Sequence, residues 1–450
     1  MNALKYCAFI RSITLSHRLT EIGERILYSC QKLETAVIPE TVTKIGPGAF
    51  AASGLKSITL PDGLIEIGDC VFDNCRNLET VVIPETVTKI GRGAFAYSGL
   101  KSIILPDGRL TEIGGHAFFD CLNLKTVIIP NSVTKIGRCA FAYSVLKSIT
   151  LLDGRLTEIG ESTFYECRNL ETVVIPETVT KIGPHAFAGS GLKSITLLDG
   201  QLTEIGEKAF YKCHNLETMV IPESVTKIGP NAFAYSGLKS ITLLDGRLTE
   251  IEGGAFSDCS NLETVVIPET VTKIGPEAFA GSGLKSITLL DGRLTEIGEK
   301  ALYGCSNLET VIIPNSVTKI GCYIFAWSGL KSIILPDGRL TEIEWGTFYK
   351  CSNLESVVIP ETVTKIGPSA FAWSGLESII LPHGRLTEIG ENAFYNCYNL
   401  ESIVIPDSVT KIGPYVFADS GLKLITLPHG VEIGERAFHN CHNLVVEYRN

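Results

Sequence analysis

The residues whose type and spacing suggest chemical reactivity most directly are cysteines. The sequence of 450 residues contains 14 of them. Ten occupy one position of a repeat: Cys30, Cys75, Cys121, Cys167, Cys213, Cys259, Cys305, Cys351, Cys397 and Cys441. In the intervening half-repeats the same position holds serine, from Ser53 to Ser420. Because thiols can form disulfides or bind metals, the distance between successive cysteines decides which chemistry is open to them.

That distance argues against disulfides. Neighbouring parallel strands lie about 4.8 Å apart, so cysteines in every second coil lie roughly 9–10 Å apart. A disulfide needs Cα atoms within roughly 7 Å, and we therefore predict ten buried free thiols. His439 and His442 flank Cys441 and are donors that zinc accepts. No fourth ligand is apparent, so the sequence favours an ordinary loop there and no metal site.

A row of acidic residues is the second candidate for chemistry. It follows the strand-ending Pro or Leu in seven successive half-repeats: Asp153, Glu177, Asp199, Glu223, Asp245, Glu269 and Asp291. Like charges one strand apart repel each other, so either cations bind there or nearby basic residues compensate. Arg155, Arg247 and Arg293 lie close in sequence. The sequence favours compensation, with weak Ca²⁺ binding as the alternative.

Catalysis would require a few unusual groups that converge in one pocket. Nearly every polar residue here belongs to a repeated row instead. The non-repeated candidates fall at scattered loop positions: Cys70, His116, Cys139, His185, Cys322 and Trp345. We therefore expect no catalytic residues, no enzyme activity and no cofactor.

The repeat that positions these residues is 46 residues long, as in Cys75 to Asp120. It contains two similar halves. One reads L-x-x-V-x-I-P, V-T-K-I-G, A-F, and the other reads L-x-x-I-x-L-P, R-L-T-E-I-G, A-F. A fixed period of this size is typical of a solenoid, in which each coil buries its apolar face against its neighbours. Each half builds one coil, which gives about 20 coils.

Local patterns predict the structure of a coil. Apolar residues alternate with polar ones in segments such as Thr80 to Ile83, which indicates a short strand. Pro84 ends that strand because it has no N–H to donate. Ala94 and Phe95 begin a single helical or 3₁₀ turn, and the recurring Phe forms a column in the core.

Composition excludes some functions. The formal net charge of −10 argues against a nucleic-acid partner, which needs a basic surface. The first residues include too short an apolar run for a signal peptide. No stretch approaches the 18 apolar residues of a membrane-spanning helix.

The motif L-x-x-I-x-L-P, followed by I-G and then A-F-x-x-C, resembles the BspA-like leucine-rich-repeat class over about residues 10–444. The resemblance implies a right-handed leucine-rich-repeat solenoid of β-rich α/β class, with a parallel sheet on the concave face. We expect short turns or 3₁₀ segments on the convex side. A single solenoid domain should span residues 1–450, with an irregular start at 1–9 and an irregular end at 442–450.

The resemblance also implies adhesion or protein binding without enzyme activity, often at the cell surface. Our leading hypothesis is an adhesin-like scaffold for a protein or glycoprotein ligand, held on its concave face or its aromatic edge. The alternative is a structural rod that associates with itself end to end through uncapped ends. By resemblance the protein is secreted or at the cell surface, whereas the lack of a visible signal peptide leaves a cytoplasmic location open.

The candidate site comes from breaks in the repeat. At the outward position four residues after Leu, five consecutive strands carry apolar residues: Ile312, Ile334, Val358, Ile380 and Val404. An acidic triplet begins the last three of these strands: Glu355, Glu377 and Glu401. An apolar stripe beside a charged rim is typical of an interaction site. The alternative is that β-branched residues simply suit a parallel sheet.

Two further features extend the hypothesis. A smaller stripe lies earlier in the chain, where three apolar residues accompany three lysines: Val82, Ile104 and Ile128 with Lys101, Lys125 and Lys147. Two residues after Phe, the first half also carries aromatic residues: Tyr97, Tyr143, Tyr235, Trp327 and Trp373. Exposed Trp and Tyr often anchor interfaces, so Trp327 and Trp373 join the candidate ligand-binding residues. Packing against a neighbouring loop is the alternative.

Overall fold

The computed structural model describes residues 4–449. The chain forms two compact units, Met1–Ser224 and Val225–Asn450, and each is described by itself. Both units repeat the same coil, which consists of a strand of three or four residues, a strand of two residues and a turn segment. This repetition confirms the predicted solenoid. The single domain over residues 1–450 stays a prediction.

The strands alternate in length, so that odd-numbered strands are long and even-numbered ones are short. In the first unit they are β1 (Ser12–Thr14), β2 (Glu21–Ile22), β3 (Thr35–Val37), β4 (Lys44–Ile45), β5 (Ser57–Thr59), β6 (Glu66–Ile67), β7 (Thr80–Val82), β8 (Lys89–Ile90), β9 (Ser102–Ile104), β10 (Glu112–Ile113), β11 (Thr126–Ile129), β12 (Lys135–Ile136), β13 (Ser148–Leu151), β14 (Glu158–Ile159), β15 (Thr172–Ile175), β16 (Lys181–Ile182), β17 (Ser194–Leu197), β18 (Glu204–Ile205) and β19 (Thr218–Ile221).

The second unit continues the alternation. Its strands are β20 (Lys227–Ile228), β21 (Ser240–Leu243), β22 (Glu250–Ile251), β23 (Thr264–Ile267), β24 (Lys273–Ile274), β25 (Ser286–Leu289), β26 (Glu296–Ile297), β27 (Thr310–Ile312), β28 (Lys319–Ile320), β29 (Ser332–Ile334), β30 (Glu342–Ile343), β31 (Ser356–Val358), β32 (Lys365–Ile366), β33 (Ser378–Ile380), β34 (Glu388–Ile389), β35 (Ser402–Val404), β36 (Lys411–Ile412), β37 (Leu424–Leu427), β38 (Glu432–Ile433) and β39 (Val445–Tyr448).

Within each unit, most strands pair in parallel with the next strand of their own length class, although in the described residues no ladder joins β9 to β11, β12 to β14, β28 to β30 or β33 to β35. Ile13 of β1 lies opposite Ala36 of β3, and Ile45 of β4 lies opposite Ile67 of β6. In the second unit Val357 of β31 lies opposite Ile379 of β33. Long strands thus form one parallel surface, as the alternating pattern predicted, and short strands form a second one that the sequence analysis did not predict.

The turn segment corrects one expectation, because residues 4–449 contain no α-helix and no 3₁₀ helix. Backbone N–H groups in this segment alternate between two partners. Ala96 donates within its own turn to Gly93, whereas Phe95 donates to Ala117 of the next coil and Tyr97 donates to Phe119. A helix would need consecutive N–H groups to bond within the segment. The second partner instead builds a third ladder between coils, and of the two expected forms, turns or 3₁₀ segments, the structure has turns.

That ladder requires left-handed backbone at regular positions. Gly93 has a φ of 61° and Tyr97 a φ of 56°, and the equivalent residues of other coils repeat these values. Close approach between coils fixes glycine elsewhere. A Cβ on Gly329 would lie 2.1 Å from the carbonyl oxygen of Ser306, so a larger residue there would require the backbone to shift.

The core consists of columns that run from coil to coil. Phenylalanine rings stack in one column, with centroids 5.1 Å apart for Phe348 and Phe371 and 5.3 Å apart for Phe371 and Phe394. Leu, Ile and Val of the strands are buried beside them. Successive rings contact each other along most of the column, which Leu302 interrupts between Phe279 and Phe325, and this stack confirms the predicted Phe column.

The repeat cysteines form the adjacent buried column with the serines. The Sγ atom of Cys75 lies 3.4 Å from the Oγ atom of Ser53 and donates to the carbonyl oxygen of Phe50 at 3.2 Å. Nine of the ten repeat cysteines are buried, and Cys441 is half-buried. Burial raises the pKa of Cys75 to about 11 and that of Cys121 to about 12.

Two terminal segments were expected to depart from the repeat. Residues 1–3 and 450 lie outside the described residues. In 442–450 the structure has β39, which pairs in parallel with β37 and whose four side chains are all exposed.

We predict that the folded protein shows few reactive thiols. At pH 8 a thiol reagent should modify the exposed Cys70 first, and the buried cysteines should react only after unfolding, when nearly all 14 do so without reductant. Unfolded cysteine has a pKa of about 8.5, below the folded values. The free energy of unfolding should therefore be unaffected by these thiols below that pH and fall as pH rises toward 11.

Titration of the thiols in native and denatured protein measures both effects. Fast modification of most thiols in the native state would contradict the buried column. Pairs that react only after reduction would contradict the predicted spacing.

Candidate functional site

The five residues predicted as an apolar stripe all project outward from the long strands. In each strand the central residue is buried and its two neighbours are exposed, except that Ile379 is half-buried. The stripe is defined by these residues and their exposed fractions: Ile312 62%, Ile334 61%, Val358 60%, Ile380 59% and Val404 46%. Such exposure is large for branched apolar side chains, and the fold itself does not bury them.

Strand register brings the stripe together. Ile312 lies opposite Ile334, and Val358 lies opposite Ile380. β29 pairs with β31, and β33 contacts β35. Five neighbouring strands span roughly 20 Å at the usual spacing. The next long strand carries Thr426 opposite Val404, so the stripe ends there.

The smaller stripe in the first unit is exposed to a similar degree. Val82, Ile104 and Ile128 have exposed fractions of 62%, 63% and 60%. Exposure alone therefore does not distinguish the two candidates. The two stripes differ in length, with five residues against three, and in the sign of the neighbouring charges, acidic against basic.

Charges at the start of the long strands mostly neutralise each other. Each pair joins a glutamate to the lysine of the next long strand: Glu34–Lys56 at 2.8 Å, Glu79–Lys101 at 2.8 Å, Glu171–Lys193 at 3.0 Å, Glu263–Lys285 at 2.9 Å and Glu309–Lys331 at 2.9 Å. Opposite charges on adjacent strands attract, and each exposed pair contributes a few tenths of a kcal/mol, about 0.2–1.

Two places break this pattern. The N–H of Glu377 donates to the carbonyl of Glu355, and the N–H of Lys147 donates to that of Lys125, so like charges are neighbours. Within residues 4–449 none of these four side chains forms an ion pair. In its described residues each unit thus carries one like-charged pair without an ion-pair partner, acidic in the second unit and basic in the first.

The predicted triplets are therefore smaller than expected. Glu401 forms an ion pair with Lys423, and Lys101 forms one with Glu79. The acidic rim beside the stripe consists of Glu355 and Glu377. Sequence reasoning counted three like charges in a row without following each one to the strand on its other side.

Trp327 and Trp373 lie on the turn segments rather than on the stripe. Their exposed fractions are 49% and 42%, and their φ values are 61° and 63°. Glycine occupies the same position at Gly189 and Gly281. This left-handed backbone costs a large side chain about 1–2 kcal/mol relative to glycine. The backbone conformation of the turn therefore does not favour the aromatic residues.

A lysine that sequence reasoning missed joins the two tryptophans. The Nζ atom of Lys350, from the coil between them, lies 4.0 Å from the ring centroid of Trp327 and 5.6 Å from that of Trp373. Ammonium groups over an indole face are attracted by its quadrupole. Trp327, Lys350 and Trp373 define the aromatic edge of the second unit.

A second set of aromatic residues was also missed. It follows Phe directly in the other half-repeat, and Phe119, Tyr165 and Tyr395 belong to it. The ring of Phe119 lies 5.4 Å from those of Tyr97 and Tyr143, in edge-to-face geometry. The signal was present in the repeated F-F and F-Y pairs. The predicted aromatic row therefore packs partly against neighbouring loops, as the alternative expected, while one side stays exposed.

The other chemical candidates do not assemble into a site. Asp153, Asp199 and Asp291 of the acidic row are exposed, and within the described residues the row forms no ion pair with the arginines expected to compensate it. No three His, Cys, Asp or Glu residues among 4–449 are placed to hold a metal ion. That part of the chain also has no helix long and apolar enough to cross a membrane.

Comparison with protein families matches the BspA type leucine-rich-repeat region, in six copies, over residues 1–111, 88–208, 203–331 and 318–445. A leucine-rich repeat protein from Bacteroides ovatus is 24% identical, with 98% of this chain and 92% of that chain covered and a TM-score of 0.42. A leucine-rich repeat protein from Eubacterium ventriosum is 24% identical, with 81% and 83% covered and a TM-score of 0.39.

A leucine rich cell surface protein from Faecalibacterium prausnitzii is 25% identical, with 98% of this chain and 88% of that chain covered and a TM-score of 0.31. A search of curated proteins gives no match. The family match extends over nearly the whole chain.

We predict that Glu377→Lys stabilises the protein. It would replace the Glu355–Glu377 repulsion by the Glu–Lys pair found in other coils, for a gain of about 0.2–1 kcal/mol. Thermal melting at low and high salt measures the effect, which salt should screen. As a matched control, Glu263→Lys places Lys beside Lys285 and should lower the melting temperature. No gain for Glu377→Lys at low salt would mean that solvent already neutralises the acidic pair.

Proposed function

Because this chain belongs to the BspA-type leucine-rich-repeat family, we propose that it is a non-enzymatic, adhesin-like scaffold that binds a protein or glycoprotein ligand. The ligand lies on the apolar stripe of the second unit, with the aromatic edge as an additional contact. The action of such an adhesin is at the cell surface or outside the cell.

One observation carries the proposal most directly. The stripe and the acidic pair Glu355–Glu377 share strands β31 and β33, and the fold requires neither of them. Solvent-facing Thr242 and Thr288 show that the same outward position accepts a polar residue. An exposed apolar surface with a charged rim is typical of protein interaction sites.

The charges indicate which ligand surface fits. Two neighbouring carboxylates without a basic partner favour a ligand that brings lysine or arginine beside an apolar patch. Electrostatic complementarity of this kind increases the association rate and makes it depend on salt. The aromatic edge supports the same reading, since Trp side chains are common at positions that dominate binding energy.

We predict that a charge on the stripe weakens binding. Ile334→Lys and Ile380→Lys should each weaken binding about tenfold or more, since a lysine would disrupt the apolar centre of the contact. Thr242→Lys and Thr288→Lys add the same charge at equivalent outward positions outside the stripe and serve as matched controls. Binding is measured on an array of extracellular-matrix proteins and then in solution with the protein that binds best.

All four variants should fold, because each residue faces solvent. Equal binding by the stripe variants and the threonine variants would place the ligand elsewhere. Binding that survives both substitutions but is lost in Trp373→Ala would move the site to the aromatic edge.

Self-association is a second candidate function that one feature favours. Strand β39 pairs with β37, and its side chains are exposed, with exposed fractions of 55% for Val445 and 52% for Tyr448. In the described residues no strand covers its other edge. An open apolar edge strand is a template for pairing with another chain.

Sedimentation velocity over a range of concentrations tests this alternative. A structural rod should form concentration-dependent oligomers that Val446→Lys disperses, because a lysine on an edge strand opposes pairing. A monomer at every concentration would exclude the rod and leave the ligand-binding scaffold.

A further inference from the structure

A cleft in the second unit opens where two successive coils lack a side chain. One left-handed turn position is occupied, in successive coils, by Asp258, Gly281, Gly304, Trp327 and Lys350. Backbone N–H groups at this position each donate to the next coil, which keeps the order fixed. The two adjacent glycines therefore leave a gap between Asp258 at one end and Trp327 at the other.

The gap is part of a cleft of about 710 Å³. Aromatic side chains line it, among them Tyr303, Tyr323, Trp327 and Tyr349. Polar side chains line it as well, namely Ser257, Asp258, Glu277 and Lys300. A concave site with apolar walls and a few polar groups is the usual form of a small-ligand site.

The glycines keep the cleft open although the fold does not demand both of them. A Cβ on Gly304 would meet only the backbone of Gly281, at 3.8 Å and 3.9 Å, which is ordinary contact. Left-handed backbone costs a larger residue about 1–2 kcal/mol, yet Trp327 and Lys350 adopt it at the same position, with φ of 61° and 57°. A side chain at residue 304 would fit, and its absence leaves space for something else.

The lining chemistry indicates the class of ligand. Aromatic faces pack against flat, weakly polar surfaces such as the C–H faces of a sugar ring. Carboxylates accept hydrogen bonds, while Ser257 and the tyrosine hydroxyls can both donate and accept them. Asp258 accepts a hydrogen bond from Ser257 at 2.9 Å, so its carboxylate is already oriented. We propose that this two-glycine cleft binds a neutral sugar ring, from a free oligosaccharide or from a glycan on a glycoprotein.

A cationic ligand fits less well, although aromatic and acidic groups often bind cations. Lys300 lines the cleft, 3.2 Å from Glu299 and 3.9 Å from Glu277, and so neutralises part of the negative charge. The Nζ atom of Lys350 lies 4.0 Å from the ring centroid of Trp327. An incoming cation would meet the ammonium group of Lys300, whereas a neutral polyol would gain donors from it.

The cleft is distinct from the stripe. Its residues lie on turn segments between Ser257 and Tyr349, whereas the stripe lies on the outward face of the long strands. The sugar site therefore goes beyond the proposed protein-binding function, and each can fail without the other.

The test begins with a glycan array of mono- to tetrasaccharides and continues with calorimetric titration of the tightest neutral saccharide. Gly304→Lys places in the cleft the side chain that Lys350 provides two coils later, and should weaken binding about tenfold or more. Asn396→Lys adds the same residue at the same turn position outside the cleft, where φ is 55°, and should leave binding unchanged. Asp258→Asn keeps the volume of the side chain and should reduce affinity even where Gly304→Lys folds poorly.

The two sources of the sugar are separated with a glycoprotein before and after enzymatic removal of its glycans. Loss of cleft-dependent binding after this treatment identifies a glycan on protein, and retained binding of the free saccharide alone identifies an oligosaccharide. Absence of any saccharide binding would overturn the proposal. Competition by tetramethylammonium, or loss of sugar binding in Ile334→Lys, would overturn it too, because the site would then be cationic or lie on the stripe.

Discussion

Hydrogen bonding from each coil to the next is the constraint on which this structure depends. Long strands, short strands and turn segments each form a ladder, and the turn ladder uses every second N–H, as Phe95 and Tyr97 do toward Ala117 and Phe119. Three ladders fix the position of each coil relative to its neighbours. A residue at a given repeat position therefore stands about one strand spacing from its equivalents, and any property of that position becomes a continuous surface or column.

The same constraint explains why the fold was readable from the sequence. A half-repeat that occurs about 20 times shows which residues share a column, and apolar alternation shows which of them face inward. The Phe stack and the outward stripe followed from this reasoning. The hydrogen-bonding of the turn segments could not be predicted in this way. The residue pattern around Phe95 does not reveal that its N–H bonds to another coil rather than to its own turn.

Prediction of the site was less complete for a related physical reason. Many side chains find their partner in an adjacent coil, 22 residues away for Glu401 and Lys423 and 26 residues away for Cys121 and the carbonyl of Phe95. In the sequence Glu401 belongs to an acidic triplet, whereas in the structure it forms an ion pair with Lys423. Lys350 occupies a repeat position whose residue type varies from coil to coil, and only the structure shows that its ammonium group lies over the ring of Trp327. The cleft was least predictable, since it arises from the absence of two side chains.

Each repeat position occurs in many coils, so the residue in one coil can be compared with the residues at the same position in the others. A departure from the usual residue then shows a difference in stability. Lysine follows Leu at 331 and 423 and pairs with glutamate, which shows what stability favours at 377. A glutamate there forgoes that attraction. Glycine at 281 relieves the backbone strain that Trp327 and Trp373 accept at the same position. Residues that work against the stability of their own repeat are maintained by something other than folding, and in the second unit they include Glu377, Trp327 and Trp373.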